Sequence, residues 1–310
     1  RLWYSRGVAR SQETQSAARS GPITGWCLMI DKINDHLLNL VQEKPGFSAD
    51  LYAAARYALS SGGKRLRPSL TLMVGEAMGA EKTKLLDPAC AVEFIHTYSL
   101  IHDDLPCMDD DDLRRGKPTL HRVYNEGHAV LVGDFLLTFA FETLTNAPGL
   151  SESQKLALIT TLAKNSGGDG LIGGQVVDIN TAGKKLSLDT VDEIHLKKTA
   201  RLITCAILFG AIIADAPKEQ LAILEKVGDN IGVAFQIIDD VLDITAGKEK
   251  HGQSSDLTND KSTYATLLGV DEATKRAEAL TQEAIERLHA LPYDMSPLID
   301  LAKTMVYRKK

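Results

Sequence analysis

The stretch FQIIDDVLDI, residues 235–244, sets three aspartates into an otherwise apolar run. Residues four apart share one face of a helix, so Asp239 and Asp243 project together with Asp240 beside them. Their neighbours Phe235, Ile237, Ile238, Val241, Leu242 and Ile244 belong to a buried helix and not to a solvated acidic face. Carboxylates crowded in low dielectric repel, and they stay ionised together only where a cation compensates. Oxygen donors without paired cysteine or histidine suit a hard divalent ion, Mg2+ above all.

A second acidic phrase lies upstream in IHDDLPCMDDDDLRRGKP, residues 101–118. Asp103 and Asp104 end an apolar helix, Pro106 disrupts the regular helix there, and Asp109 swings in from the bend. Asp110, Asp111 and Asp112 read as a solvated edge. Arg114, Arg115 and Lys117 then reverse the sign of the charge. An acidic cluster partnered by strong bases suits a phosphate or diphosphate ligand, with metal bridges on one side and Arg and Lys forks on the other. Further bases stand in GGKRLRP, where Lys64, Arg65 and Arg67 follow two glycines that let backbone amides approach a ligand. The segment KKTA adds Lys197, Lys198 and Thr199. Nothing matches a Walker loop or a dinucleotide fingerprint.

The rest of the chain repeats the helical pattern. DKINDHLLNLVQ, DLYAAARYAL and EATKRAEALTQEAIERLHAL place apolar residues at three- and four-residue spacing. ITCAILFGAIIA (203–214) is apolar on all sides and predicts a helix in the middle of a bundle. Alternating strand patterns are missing. No linker or repeat divides the chain of 310 residues after Met29, so 29–310 is read as one all-α domain. Residues 1–28 hold Arg1, Arg6, Arg10 and Arg19 against Glu13 alone, and they read as a disordered leader, transit-like or non-native.

Composition narrows the function further. A net charge of −6 argues against a nucleic-acid binder, which would carry a basic stripe. No run reaches the ~18 consecutive apolar residues of a membrane span. Cys27, Cys90, Cys107 and Cys205 are scattered, as free thiols in a reducing compartment are. Cys107 sits in a negative setting that disfavours a thiolate, so no catalytic cysteine is expected.

Taken together, the ordered motifs GGKRLRP, EFIHTYSLIHDDLPCMDDDDLRRGKPT, GDFLLTFAFE, GGQVVD, KKTA, FQIIDDVLD and DKSTY resemble those of the trans-prenyl diphosphate synthases over residues 47–310. The resemblance implies an all-α bundle around a deep central cavity, two aspartate motifs facing across its mouth, Mg2+ and a homodimer. Asp103, Asp104 and Asp109 match the first metal-holding motif, and Asp239, Asp240 and Asp243 the second. Arg114, Lys198, Thr199 and Gln236 match contacts to an allylic diphosphate. Lys64, Arg67, His96 and Arg115 match an isopentenyl diphosphate site. His102 is expected behind the aspartates, and Gln175 and Asp178 are left open as site-lining or mere packing. Many relatives carry Gly-Lys-x-x-Gly-x-Asp after the second motif. Here GKEKHGQSSD leaves Lys250 and His251 ambiguous, and Lys261 is the basic residue assigned instead.

The implied activity is head-to-tail condensation of allylic diphosphates with isopentenyl diphosphate. Tyr98, five residues before Asp103, stands roughly 7.5 Å along the helix, where a growing tail would end. In the family an aromatic there, with the two-residue insertion in DDLPCMD, goes with a fifteen-carbon product. The expectation is therefore a farnesyl diphosphate synthase, with a geranylgeranyl diphosphate synthase as the alternative. A non-catalytic regulatory subunit would have lost one aspartate motif, and a terpene cyclase would lack GGKRLRP. The expected compartment is the cytoplasm, or a plastid or mitochondrion if 1–28 is a transit peptide.

Overall fold

The computed structural model describes residues 22–246 and 262–307. In chain order the helices are α1 (Pro22–Leu40), α2 (Ala49–Leu59), α3 (Leu66–Ala77), α4 (Leu86–Asp103), α5 (Leu120–Val123), α6 (Glu126–Asn146) and α7 (Glu152–Ser166). They continue as α8 (Leu171–Thr181), α9 (Leu188–Ile194), α10 (Arg201–Ile213), α11 (Lys218–Ala246), α12 (Tyr264–Leu268), α13 (Val270–His289) and α14 (Ser296–Tyr307). A π-helical turn, His195–Ala200, joins α9 directly to α10. The all-α bundle is as expected.

The apolar helix is where its composition puts it. α10 is buried along almost its whole length and packs between α3 and α11. Thr71 on α3 satisfies its hydroxyl by donating to the Ala206 carbonyl of α10 at 2.8 Å. α6 packs along α4 with Val132, Leu136, Ala140 and Leu144 fully buried. By length and composition α6 could cross a membrane, although Asp134 and Glu142 interrupt its apolar run. Starts are fixed locally: Asn125 caps α6, and Ser151 and Gln154 form a reciprocal capping box on α7.

Two expectations shift. α1 begins at Pro22, so the boundary at Met29 falls inside a helix. Proline is tolerated at a first helical position, where its missing N–H would have no partner. Residues 1–21 lie outside the described part of the chain. The second shift is a small antiparallel ribbon, β1 (Leu113–Arg114) with β2 (Lys117–Pro118), pairing Arg114 with Lys117. Its two turn residues, Arg115 and Gly116, have φ of 54° and 77°, the left-handed pair that a type I′ hairpin requires.

Candidate active site

The N-terminal end of α3, the C-terminal half of α4, α8, the π turn and α11 enclose a cavity of about 810 Å³. It gathers Lys64, Arg67, His96 and Arg115 with Lys198, Thr199 and Gln236, and it also takes in Tyr98 and Asp103. The outermost of these residues, 64 and 236, lie 172 positions apart in the sequence. The bundle brings these side chains to one cavity, whereas Asp104, Asp109, Asp239, Asp240 and Asp243 are not among the residues lining it.

Asp103 is the last residue of α4, and the chain bends after it. The Asp109 amide reaches back to donate to the Asp103 carbonyl at 2.9 Å, which returns the exposed Asp109 beside Asp103. Gln175 of α8 donates to Asp103 Oδ1 at 2.6 Å. Burial pushes the Asp103 carboxyl up to about 6, with Asp109 and Asp104 adding to the shift while Lys198 and Arg114 oppose it. Asp104 is 4% exposed and committed to Arg114, whose Nε donates to its Oδ1 at 2.7 Å. Arg114 thus braces the motif from the ribbon and is not among the residues lining the cavity. Asp110 and Asp112 are exposed, as expected, and Asp112 pairs with Arg122 at 2.5 Å. The side chain of Asp111 is only 12% exposed and lies 3.7 Å from Arg114 Nη2.

On α11, Asp239 and Asp243 are half-buried one turn apart. The field of Asp239 reaches Arg67, favouring its charged form. Asp240 points elsewhere: it is 4% exposed, its Oδ1 accepts from Gln236 Nε2 at 3.0 Å, and its Oδ2 lies 3.2 Å from His195 Nε2. Gln236 in turn accepts from the Thr199 hydroxyl at 2.9 Å.

The basic residues divide by role. Arg65 is structural: left-handed at φ 46°, it is buried, pairs with Glu93 at 2.7 Å and donates to Asn34 at 2.7 Å. That anchor turns Lys64 and Arg67 towards the cavity. Gly63, expected to open the backbone to a ligand, instead lets Arg115 lie against it, since a Cβ there would meet the guanidinium at 2.5 Å. Burial lowers Arg67 to about 10, still charged near neutrality. His96 is held well below the ordinary histidine range, first by burial and then by Arg67, Arg115, Arg114 and Arg65. An anion entering this group would meet net positive charge, since Lys64, Arg67 and Arg115 outnumber Glu93, which is paired with Arg65.

The GGQVVD segment proves to be site-lining. Besides the Gln175 bond, Asp178 accepts from Lys198 Nζ at 2.7 Å. Gly174 lets α8 approach the π turn, because a Cβ there would stand 2.3 Å from the Lys198 amide nitrogen. Tyr98 is 4% exposed with its ring edge-on to His102, 5.7 Å between centroids. His102 sits against Gly133 of α6, its Nε2 3.1 Å from the Val130 carbonyl oxygen, and it also lines the cavity beside Tyr98. Cys90 and Cys205 are buried, which raises both thiols, while Cys27 and Cys107 are exposed. Lys250, His251 and Lys261 lie outside the described residues. His195 was not singled out from sequence; a lone histidine before KKTA carries no signal of its own.

Among the described residues, no three carboxylate, histidine or cysteine side chains form a ready metal cage. Mg2+ does not ask for one. It keeps several waters and binds through one or two carboxylates plus substrate phosphates. Asp103, Asp109, Asp239 and Asp243 fit that role, and burial makes the ionised Asp103 carboxyl costly even with Lys198 and Arg114 opposing the shift. Asp104 and Asp240 already spend oxygen lone pairs on protein partners.

Residues 48–298 match the family described as polyprenyl synthetase. The chain is 42% identical to the farnesyl diphosphate synthase of Bacillus subtilis, covering 89% of this chain and 95% of that relative. It is 45% identical to a chloroplastic geranylgeranyl pyrophosphate synthase of Catharanthus roseus, covering 83% of this chain and 74% of the relative. A Helicobacter pylori geranyltransferase structure complexed with magnesium and isoprenyl diphosphate superposes with a TM-score of 0.80 at 34% identity, covering 93% of this chain and 97% of that one. The chain belongs to the polyprenyl synthetase family. Within that family it is a short-chain trans-prenyl diphosphate synthase, a Mg2+-dependent class of prenyltransferase.

Proposed function

We propose that the protein makes farnesyl diphosphate by condensing dimethylallyl and then geranyl diphosphate with isopentenyl diphosphate. The observation that carries the product length is Tyr98, which lines the cavity on the same helix as Asp103 and five residues before it. At 1.5 Å per residue its ring stands roughly 7.5 Å below the aspartates, where it blocks further growth of the tail. The Bacillus relative's farnesyl activity supports the same product. The Catharanthus relative's slightly higher identity favours the second reading, a twenty-carbon product. Both aspartate motifs are complete, which counts against a non-catalytic regulatory subunit.

In this reading Lys198, Thr199, Gln236 and Lys261 serve the allylic diphosphate, Arg114 braces Asp104 behind it, and the two aspartate motifs would hold the metal. Asp103, Asp109, Asp239 and Asp243 donate directly, and Asp104 and Asp240 fix their positions. Bound Mg2+ neutralises negative charge on the departing diphosphate. Lys198 adds a positive charge aimed at the same oxygens as the allylic C–O bond breaks and its electron pair leaves with the diphosphate. Lys64, Arg67, His96 and Arg115 hold isopentenyl diphosphate so that its double bond supplies the electrons of the new carbon–carbon bond. The proton then lost goes to the released diphosphate. Apolar lining from Leu171, Ile172, Val176 and Phe235 keeps water from the cation.

The same proposal makes the enzyme a homodimer, supported by Val130 and Leu131 standing 40% and 62% exposed on α6. It places the enzyme in the cytoplasm, or in a plastid or mitochondrion if residues 1–28 are a transit peptide. Purified protein with Mg2+, isopentenyl diphosphate and each allylic starter, with products sized by mass spectrometry, tests the reading. A fifteen-carbon product is expected, and no condensation with any starter would refute it.

A further inference from the structure

The geometry points to His195 as a positioning residue that sets the second aspartate motif through Asp240. The imidazole is almost buried, its side chain 9% exposed, and Nε2 stands 3.2 Å from Asp240 Oδ2, whose side chain is 5% exposed. The contact is one of ion-pair distance between an imidazole nitrogen and a carboxylate oxygen, and Asp240 Oδ2 offers only lone pairs to it. The ring lies stacked on Tyr264, 5.4 Å between centroids at 30°. Tyr264 is wholly buried and opens α12, whose start is fixed by the capping box of Thr263 and Thr266. The residues STY of the DKSTY motif therefore act as a platform for His195.

Two features give the pair its function. First, Asp240 accepts from Gln236 on Oδ1 and has His195 Nε2 3.2 Å from Oδ2, so the two neighbours restrict how the carboxylate can turn. Asp239 precedes it and Asp243 follows within one turn, so the azimuth of α11 at the cavity mouth is set by this anchor. Second, Gln236 is polarised by the same anchor: its amide donates to Asp240, which leaves its oxygen to accept from Thr199. His195 and Thr199 share the π turn, and the wider turn lets one contact Asp240 while the other contacts Gln236. The π turn is thereby pinned to α11 at two points, with Lys198 between them. Partners behind metal-holding carboxylates commonly change metal affinity 10–100-fold when removed.

This inference rests on α11 being a metal–diphosphate wall, and its test separates the two claims. Mn2+ binding in the presence of inorganic diphosphate is followed by electron paramagnetic resonance on wild-type protein, His195→Phe and His195→Gln. Phenylalanine keeps the stack on Tyr264 and loses the donor, while glutamine keeps a donor on a smaller side chain. His195→Phe is expected to weaken Mn2+ binding at least tenfold and to lower kcat, with KM for isopentenyl diphosphate unchanged and helical content intact. His195→Gln should recover part of the affinity. A second pair, Asp240→Asn alone and combined with His195→Phe, should show little further loss in the double variant. Wild-type affinity in His195→Phe, or equal losses in the phenylalanine and glutamine variants, would overturn the positioning role. Wild-type protein that binds no Mn2+ with diphosphate would overturn both the role and the reading beneath it.

Discussion

Asp103→Asn should stabilise the metal-free protein while ending its turnover. The Asp103 carboxyl is raised by burial from 3.8 to about 6, so at pH 8 the fold carries an ionised group it would prefer to protonate. Two pKa units correspond to about 3 kcal/mol. Lys198 and Arg114 already offset part of the burial, and the site is only partly closed, so the expected gain is about 1–3 kcal/mol. For a chain of this size that is a rise in Tm of roughly 2–5 °C. The sign follows from proton linkage. Between the unfolded pKa near 3.8 and the folded value near 6, the folded state binds more protons, so the wild type loses stability as pH rises through that window. The amide has no such loss. Its advantage should be full at pH 8, shrink to about a third near pH 4.5 and vanish below pH 4. Thermal melts in a chelator at those pH values measure it. Adding Mg2+ with diphosphate should reverse the ranking, because only the carboxylate gains from the cation. A Tm at or below wild type at pH 8, or a gain independent of pH, would refute the view of Asp103 as a buried anion awaiting charge.

Other perturbations probe other parts of the site. Glu93→Gln removes the partner of Arg65, whose side chain is 2% exposed, and should cost about 3–5 kcal/mol in urea unfolding; a loss below 1 kcal/mol would mean water reaches the pair. Gly174→Ala places a methyl 2.3 Å from the Lys198 amide nitrogen, so kcat should fall at least tenfold with circular dichroism unchanged. Unaltered kcat would show that the close approach does not place Lys198. Burial first and the arginine field second hold His96 neutral; inorganic diphosphate bound beside Arg67 and Arg115 should cancel the second cause, raise His96 and so bind with proton uptake. Calorimetry in two buffers of different ionisation enthalpy reads that uptake, and identical heats in both would contradict it.

Much of this was legible because each signal is local. The all-round apolar face of α10 marked the centre of the bundle, and the spacing of Asp239 and Asp243 placed both on one face of α11. Pro106 marked the bend that returns Asp109 to Asp103. What sequence did not reveal depends on partners distant in the chain. Arg65 and Arg67 look alike in GGKRLRP, yet a left-handed backbone and Glu93 make the first an anchor and leave the second for the cavity. Arg114 and Asp104 read as ligand-binding residues, and the fold pairs them with each other. The hairpin around Arg115 and Gly116 had only a two-residue glycine turn as its signature. The π turn has no sequence period at all, so neither it nor the His195–Asp240 contact could be read in advance.

On the proposed reading, Tyr98 ends a cavity in which metal-bound diphosphates ionise and couple. Product sizing by mass spectrometry on wild type and Tyr98→Ala, each given Mg2+, isopentenyl diphosphate and geranyl diphosphate, tests it most directly. Fifteen-carbon product from the wild type and twenty carbons or more from Tyr98→Ala is the predicted result. The same product distribution from both proteins would contradict it.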